Sequence, residues 1–204
     1  MANHQHAGNP TPRTTPLVIV TPRLVLREFE ERDLAAMLAY QSDPRYLRYY
    51  AHDRAGRIEE QARELLQRFL AAQQEHPRTT YQLAMTLREN GTLIGNAGVR
   101  KVSADATEGD MGCEIAPDHW GRGYATEAAS AMLSLGFDCL GLHHIRATTM
   151  APNVAAWRVL EKLGMVREGE LRETTRLEDG WANSLVYGML EHEWRSHKGS
   201  EQSG

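Results

Sequence analysis

The sequence predicts one α/β (α+β) domain: a mixed, mostly antiparallel sheet of about seven strands flanked by about four helices. Three observations lead there. Strand-like and helix-like segments alternate along the chain, the pattern of a sheet covered by helices. Two pairs of strand-like segments are joined by short glycine turns, Glu89-Asn90-Gly91 and Glu178-Asp179-Gly180. The 204 residues and 41% hydrophobic composition suit one ordinary globular domain with a real core, and no repeat or linker divides it.

The segment Met1–Thr15 is rich in His, Gln, Asn, Gly, Pro and Thr. It has little to bury against its own ordering entropy, so 1–16 is expected to be a mobile tail. The domain is expected over 17–195, with 196–204 a second mobile tail. Leu24-Val25-Leu26 suggests a first strand ending near Glu28. Asp33, Leu34, Met37, Leu38 and Gln41 carry helical spacing, with Pro44 ending that helix. A second helix is expected from Arg57 to Glu75, its buried stripe formed by Leu65, Leu66, Phe69 and Leu70. Strands follow near Tyr81–Arg88, Leu93–Arg100 and Asp110–Ile115, an antiparallel meander. A helix over Thr126–Leu140, a strand over His144–Met150 and a helix over Val154–Leu163 come next, the last stopped by Gly164. Strands near Val166–Leu177 and Trp181–Leu190 complete the order.

A formal net charge of −4 and a pI near 6.1 provide no basic field for nucleic acid or an anionic membrane surface, so neither is an expected partner. No apolar run approaches the roughly 20 residues of a membrane span, and the N-terminus lacks a secretion-signal pattern. Cys113 and Cys139 lack metal spacing and read as reduced thiols, consistent with a cytoplasmic location. His4 and His6 have no companion ligands and read as tail residues rather than a metal site.

The chemistry-bearing segment is Pro117-Asp118-His119-Trp120-Gly121-Arg122-Gly123-Tyr124-Ala125-Thr126-Glu127-Ala128, a glycine turn that leaves a strand and opens a helix. Backbone N–H groups without helical partners, the positive end of the helix dipole and the close approach that glycines permit together suit an anion. Arg122 adds a full charge. The Gly-Lys-Ser/Thr ending of a phosphate-binding P-loop and the third glycine of a dinucleotide fingerprint are both absent. A second segment, Asn153-Val154-Ala155-Ala156-Trp157-Arg158-Val159-Leu160-Glu161-Lys162-Leu163-Gly164-Met165, opens the next helix with Asn153 placed as its N-cap. Two adjacent strand–helix junctions can line one ligand.

These two segments resemble the GNAT superfamily of acyl-CoA N-acyltransferases. The family's coenzyme loop is Arg/Gln-x-x-Gly-x-Gly/Ala; Gly123 and Ala125 match, and Trp120 stands at the first position. Its later motif, Asn-x-x-Ser/Ala followed by Lys-x-Gly-Phe, is met by Asn153, Ala156, Lys162 and Gly164, with Met165 in place of Phe. Trp120–Ala128 and the opening Thr21-Pro22-Arg23-Leu24-Val25-Leu26-Arg27 look like the branch of ribosomal-protein-alanine N-acetyltransferases, over about Thr21 to Trp194.

The resemblance implies a sheet splayed between its fourth and fifth strands, with the pantetheine arm of acetyl-CoA entering the gap and meeting backbone at Ile115. It implies a coenzyme site made of Ile115, Trp120, Gly121, Arg122, Gly123, Tyr124, Ala125, Thr126, Asn153, Ala156, Arg158 and Lys162. The expected partners are acyl-CoA and an amine acceptor, and a homodimer is left open. Direct attack of a neutral amine on the thioester needs proton removal and oxyanion stabilisation, but neither a metal nor a protein nucleophile.

Asp110 and Glu114 are the candidate bases, since residues four apart share one face of a strand. A solvent-facing or ion-paired carboxylate is the competing reading for each. The acid for the leaving thiolate is harder to find. Leu160 stands where many relatives have Tyr and Ala156 where the ribosomal branch often has Ser, leaving Tyr187 or water. Cys113, Trp157 and Phe137 read as packing residues, and the adjacent His143 and His144 face opposite ways on a strand. Acceptor walls are expected from Tyr46–His52 and from Arg172–Trp181, with Arg45, Arg48, Arg172 and Arg176 as candidate carboxylate clamps. Function thus reads as acetyl transfer to a peptide or protein N-terminal amine. The alternatives are a small amine acceptor (amino acid, polyamine or antibiotic) and a CoA sensor without turnover.

Overall fold

The computed structural model describes residues 16–49, 57–177 and 180–201. Residues 1–15 with His4 and His6, 50–56 with His52, 178–179 and 202–204 lie outside the described residues, and with them part of the expected tails and of the expected Glu178-Asp179-Gly180 turn. The chain forms one eight-stranded sheet in the order β1-β2-β3-β4-β5-β6-β8-β7. The strands are β1 Val18–Val20, β2 Leu24–Arg27, β3 Thr80–Leu87, β4 Leu93–Lys101, β5 Glu108–Ile115, β6 His144–Met150, β7 Val166–Leu177 and β8 Gly180–Leu190. Among the described residues six α-helices accompany them: α1 Leu34–Gln41, α2 Pro44–Leu47, α3 Ile58–Ala72, α4 Tyr124–Ser134, α5 Val154–Lys162 and α6 Glu191–Glu201.

All strand pairs are antiparallel except β5 with β6. That parallel ladder holds only Glu108–Asp110 against His144–Arg146. Beyond it β5 runs on to Ile115 and β6 to Met150 without pairing to each other, so the sheet is splayed between the fourth and fifth of the predicted strands. The backbone groups along this gap need partners that a sheet neighbour does not supply.

Helices cover both faces. On one, Ala128, Ala129, Met132 and Leu133 of α4 pack on Leu24, Leu26, Leu83, Met85, Ala97, Val99 and Met111. On the other, Met37 and Tyr40 of α1, Tyr46 of α2 and Leu66 of α3 pack with Phe29 and Ala84. The central strands β3 and β4 are therefore buried on both sides, which explains their near-continuous run of small and apolar residues.

Four elements differ from the sequence expectation. Val18–Val20 forms an extra edge strand on β2. Pro44 does not simply end a helix; it opens the one-turn α2 at its first position, with Asp43 accepting the Arg45 amide at 2.8 Å. Helix α4 begins at Tyr124 and closes in a π-turn over Leu135–Cys139. The polar C-terminal stretch is helical through Glu201; Trp194, 2% exposed, stacks on Phe137 at 6.2 Å, and Lys198 pairs with Asp138 at 3.0 Å.

Candidate active site

The loop between β5 and α4 is shaped by two left-handed glycines, Gly121 at φ 72° and Gly123 at φ 79°, a conformation that costs other residues about 1–2 kcal/mol. A one-turn helix over Pro117–His119 precedes it. The first helical bond of α4 runs from the Glu127 amide to the Gly123 carbonyl at 3.1 Å. The amides of Tyr124, Ala125 and Thr126 consequently have no helical acceptor, and the helix dipole is positive at that end. A Cβ at Gly121 would meet nothing within 4 Å, and Arg122 is exposed beside it. The loop therefore presents donors and charge to an open face where an anion fits.

The loop is held from behind by the phrase that opens the domain, Thr21-Pro22-Arg23. Glu127, in the first turn of α4, accepts from the Thr21 hydroxyl at 2.6 Å, the Arg23 amide at 2.8 Å and Arg23 Nε at 2.6 Å. Arg23 Nη1 donates to the Arg122 carbonyl at 2.8 Å, and the guanidinium lies 4.7 Å from the Tyr124 ring centroid. Burial pushes the Glu127 carboxyl up, but the bonds from Thr21 and Arg23 outweigh it and hold the group below its ordinary value. Sequence reading missed this brace, because its halves stand about a hundred residues apart.

The second junction lies at the same edge, since β5 and β6 run parallel and both lead into helices there. Asn153 caps α5, accepting the Ala156 amide at 3.3 Å. Ala156 is half-buried at this end, and Arg158 and Lys162 are exposed along the helix. Ile115, at the end of β5, borders the gap, and its carbonyl accepts the Trp120 indole N–H at 2.7 Å. An incoming group that uses this carbonyl must share it with Trp120 or displace the indole.

Asp110 and Glu114 do lie on one face of β5, whose register with β4 is unbroken from Lys101↔Gly109 to Gly95↔Ile115. Their surroundings differ. Asp110 is exposed and paired with Arg100, whose Nε donates at 2.9 Å. Glu114 is half-buried; Asn96 Nδ2 donates to its Oε2 at 3.0 Å and the Tyr40 hydroxyl at 3.4 Å. No cation pairs with it among the described residues. Burial, and then the Glu114 charge, hold the Tyr40 phenol above its ordinary value, so it remains a protonated donor. Tyr40 and Asn96 were also missed from sequence; the only local signal was an Asn amid the small and apolar residues of β4.

Several other candidates have partners or lie in the core. The Tyr187 hydroxyl donates to Glu161 at 3.2 Å. Leu160 and Phe137 are buried in the main core, and Trp157 packs against it. The Cys113 thiol is pushed up to about 12, first by burial and then by the Glu114 charge. His144 pairs with Glu168 at 2.9 Å. Arg45 binds Asp43 and Asp118 at 2.6 and 2.7 Å, and the Arg176 guanidinium lies 6.0 Å from the Trp181 ring centroid.

Comparison with known proteins agrees with this geometry. Residues 23–166 match the family model described as an acetyltransferase (GNAT) domain. The chain is 35% identical over 156 residues to the uncharacterized N-acetyltransferase YoaA of Bacillus subtilis, covering 76% of this chain and 86% of that one. A GNAT-family acetyltransferase from Bacillus anthracis superposes with a TM-score of 0.72 at 28% identity, over 86% of this chain and 99% of that one. The fold is also that of a spermidine N-acetyltransferase from Vibrio cholerae in complex with CoA and spermine, with a TM-score of 0.72 at 21% identity, over 86% of this chain and 99% of that one. A family match spanning most of the domain, on a sheet splayed beside a helix start whose first amides lack helical acceptors, establishes that the chain belongs to the GNAT family of acetyl-CoA-dependent N-acetyltransferases.

Proposed function

We propose that this enzyme transfers the acetyl group of acetyl-CoA to the α-amine of a peptide or protein, with Glu114 as general base. The observation that carries the reading is the contrast between the two carboxylates of β5. Asp110 is neutralised by Arg100, whereas among the described residues Glu114 has no cation partner and receives neutral donors. The coenzyme's pyrophosphate is assigned to the amides of the Gly121–Thr126 loop, with Arg122 as its cation, and the pantetheine arm to the gap between β5 and β6.

The chemistry follows from those placements. The amine nitrogen attacks the thioester carbonyl carbon and forms the C–N bond. Its surplus proton passes to Glu114, directly or through one water, and the C–S bond breaks to release CoA thiolate. No acid from Leu160 or Ala156 is available, and the thiolate is a sufficient leaving group near neutral pH. An α-amine, with a pKa near 8, leaves an appreciable neutral fraction for a single carboxylate to deprotonate; a lysine amine near 10.4 leaves far less.

The test is a matched panel of short peptides with free N-termini, the corresponding free amino acids, and polyamines, followed by thiol release and product mass. Acetylated peptides with little product from the rest support the reading. Product confined to amino acids or polyamines overturns the acceptor and leaves the acetyltransferase standing.

A further inference from the structure

Behind Glu114 lies a chain of polar side chains crossing three strands. Arg100 Nη1 donates to Gln82 Oε1 at 2.9 Å, Gln82 Nε2 donates to Asn96 Oδ1 at 2.6 Å, and Asn96 Nδ2 donates to Glu114 Oε2 at 3.0 Å. The same Asn96 nitrogen donates to the Tyr40 hydroxyl at 3.1 Å. Gln82 and Asn96 are 4% and 3% exposed, so water cannot repair a mismatch between them. Room for the chain comes from two glycines. A Cβ on Gly98 would stand 2.2 Å from Gln82 Oε1, and one on Gly112 would stand 3.4 Å from Arg100 Nη2.

The direction of this chain is not free. A guanidinium carries donors and no acceptor, so the Gln82 oxygen must face Arg100. The Gln82 nitrogen then faces Asn96, whose oxygen must receive it. The Asn96 nitrogen is left pointing at Glu114. Turning any one amide over sets donor against donor or acceptor against acceptor in a buried site. A permanent cation at the sheet's exposed end thus determines that the carboxylate meets an N–H rather than a lone pair.

We infer that Asn96 is a positioning residue for Glu114, its amide orientation dictated by Arg100 through Gln82. The inference deepens the proposed function and rests on Glu114 being the base. The Asn96 donor holds one carboxylate oxygen, Oε2, in a fixed direction. Tyr40 assists from α1, and Asp110 faces the same chain only from the far side of Arg100.

The discriminating variant is Gln82→Glu, nearly isosteric and two hydrogen bonds away from Glu114. An ionised carboxylate still accepts from Arg100 but cannot donate to Asn96. Asn96 must then turn its nitrogen toward position 82 and its oxygen toward Glu114. The expected result is a kcat lowered about tenfold and an acid limb of kcat/KM moved up by about one pH unit, with the KM for acetyl-CoA and the CoA affinity unchanged. Asn96→Leu should move the limb in the same direction and further. Arg100→Met, at a partly exposed position, lets both amides turn and should give a smaller shift, and it decides the matter should the buried variants fail to fold. Glu114→Gln serves as the reference. If it is crippled while folded Gln82→Glu and Arg100→Met keep the parent kcat and pH profile, the chain does not orient the base and the inference is overturned, with the base itself retained. If Glu114→Gln keeps the parent kcat, the base assignment falls and takes the inference with it.

Discussion

Replacing Glu127 by Gln tests the brace behind the coenzyme loop. The carboxylate uses Oε1 for the Thr21 hydroxyl and the Arg23 amide, and Oε2 for Arg23 Nε. A glutamine keeps one acceptor oxygen for the first pair and turns an NH2 group toward the guanidinium. The lost ion pair is partly solvated, with Arg23 48% and Glu127 13% exposed in the side chain, so it contributes only about 0–1 kcal/mol. Loss of a negative charge in the first turn of α4 adds about 0.3–1 kcal/mol. Together these come to about 0.3–2 kcal/mol, or a fall in Tm of about 1–8 °C for a domain of this size. The pH dependence has a definite sign. The Glu127 carboxyl is held below its ordinary value in the folded protein, so the unfolded chain binds its proton more readily. Its contribution is fully present above the unfolded value near 4.3 and is lost as pH falls through the folded value. Thermal melts of parent and variant from pH 7 downward should therefore show a gap that closes in acid. CoA affinity by calorimetry should fall as well, because Arg23 also holds the Arg122 carbonyl. Equal melting at pH 7, or a gap that widens in acid, would refute the reasoning.

Two further outcomes follow from the same geometry. Gly123→Val should weaken CoA binding severely, since a β-branched residue at φ 79°, with its Cβ 3.3 Å from Arg23 Nη2, must distort the loop; Arg122→Ala should do less, and calorimetry on the folded variants ranks them. Cys113→Ala should keep kcat within about twofold, because a thiol pushed up to about 12 is no nucleophile near neutral pH, and alkylation at pH 8 should label the exposed Cys139 well before Cys113.

What could be read from the chain and what could not divide along physical lines. The Gly121–Gly123 loop and the Asn153 cap were legible because their chemistry is local: positive-φ glycines and an N-cap act within a few residues. The meander β3–β5 was legible from its turn and its apolar strands. Strand β1 escaped notice because Val18–Val20 is too short to show periodicity, and it is ordered by pairing with β2 and by Ile19 packing on the main core. Helix α6 is polar along most of its length, and tertiary contacts, Trp194 on Phe137 and Lys198 with Asp138, outweigh its composition. Pro44 supports two readings, an end or a beginning, and only the Asp43 cap decides between them. Equal candidacy of Asp110 and Glu114 followed from strand periodicity, which places side chains on faces but does not say what faces them. Arg100, Asn96 and Tyr40 distinguish the two, and they meet only once strands and helix are assembled. The Thr21–Arg23 brace was visible as a resemblance but not as a function for the same reason.

The most direct test of the central claim is turnover of Glu114→Gln with the acceptor class identified by the panel, its amine free, measured at saturating acetyl-CoA beside CoA affinity by calorimetry. A base that acts only on the attacking amine predicts kcat lowered about 10²-fold or more with CoA affinity unchanged. Parent-like turnover and an unaltered pH–rate profile in the folded variant would contradict it and transfer proton removal to water or to the substrate.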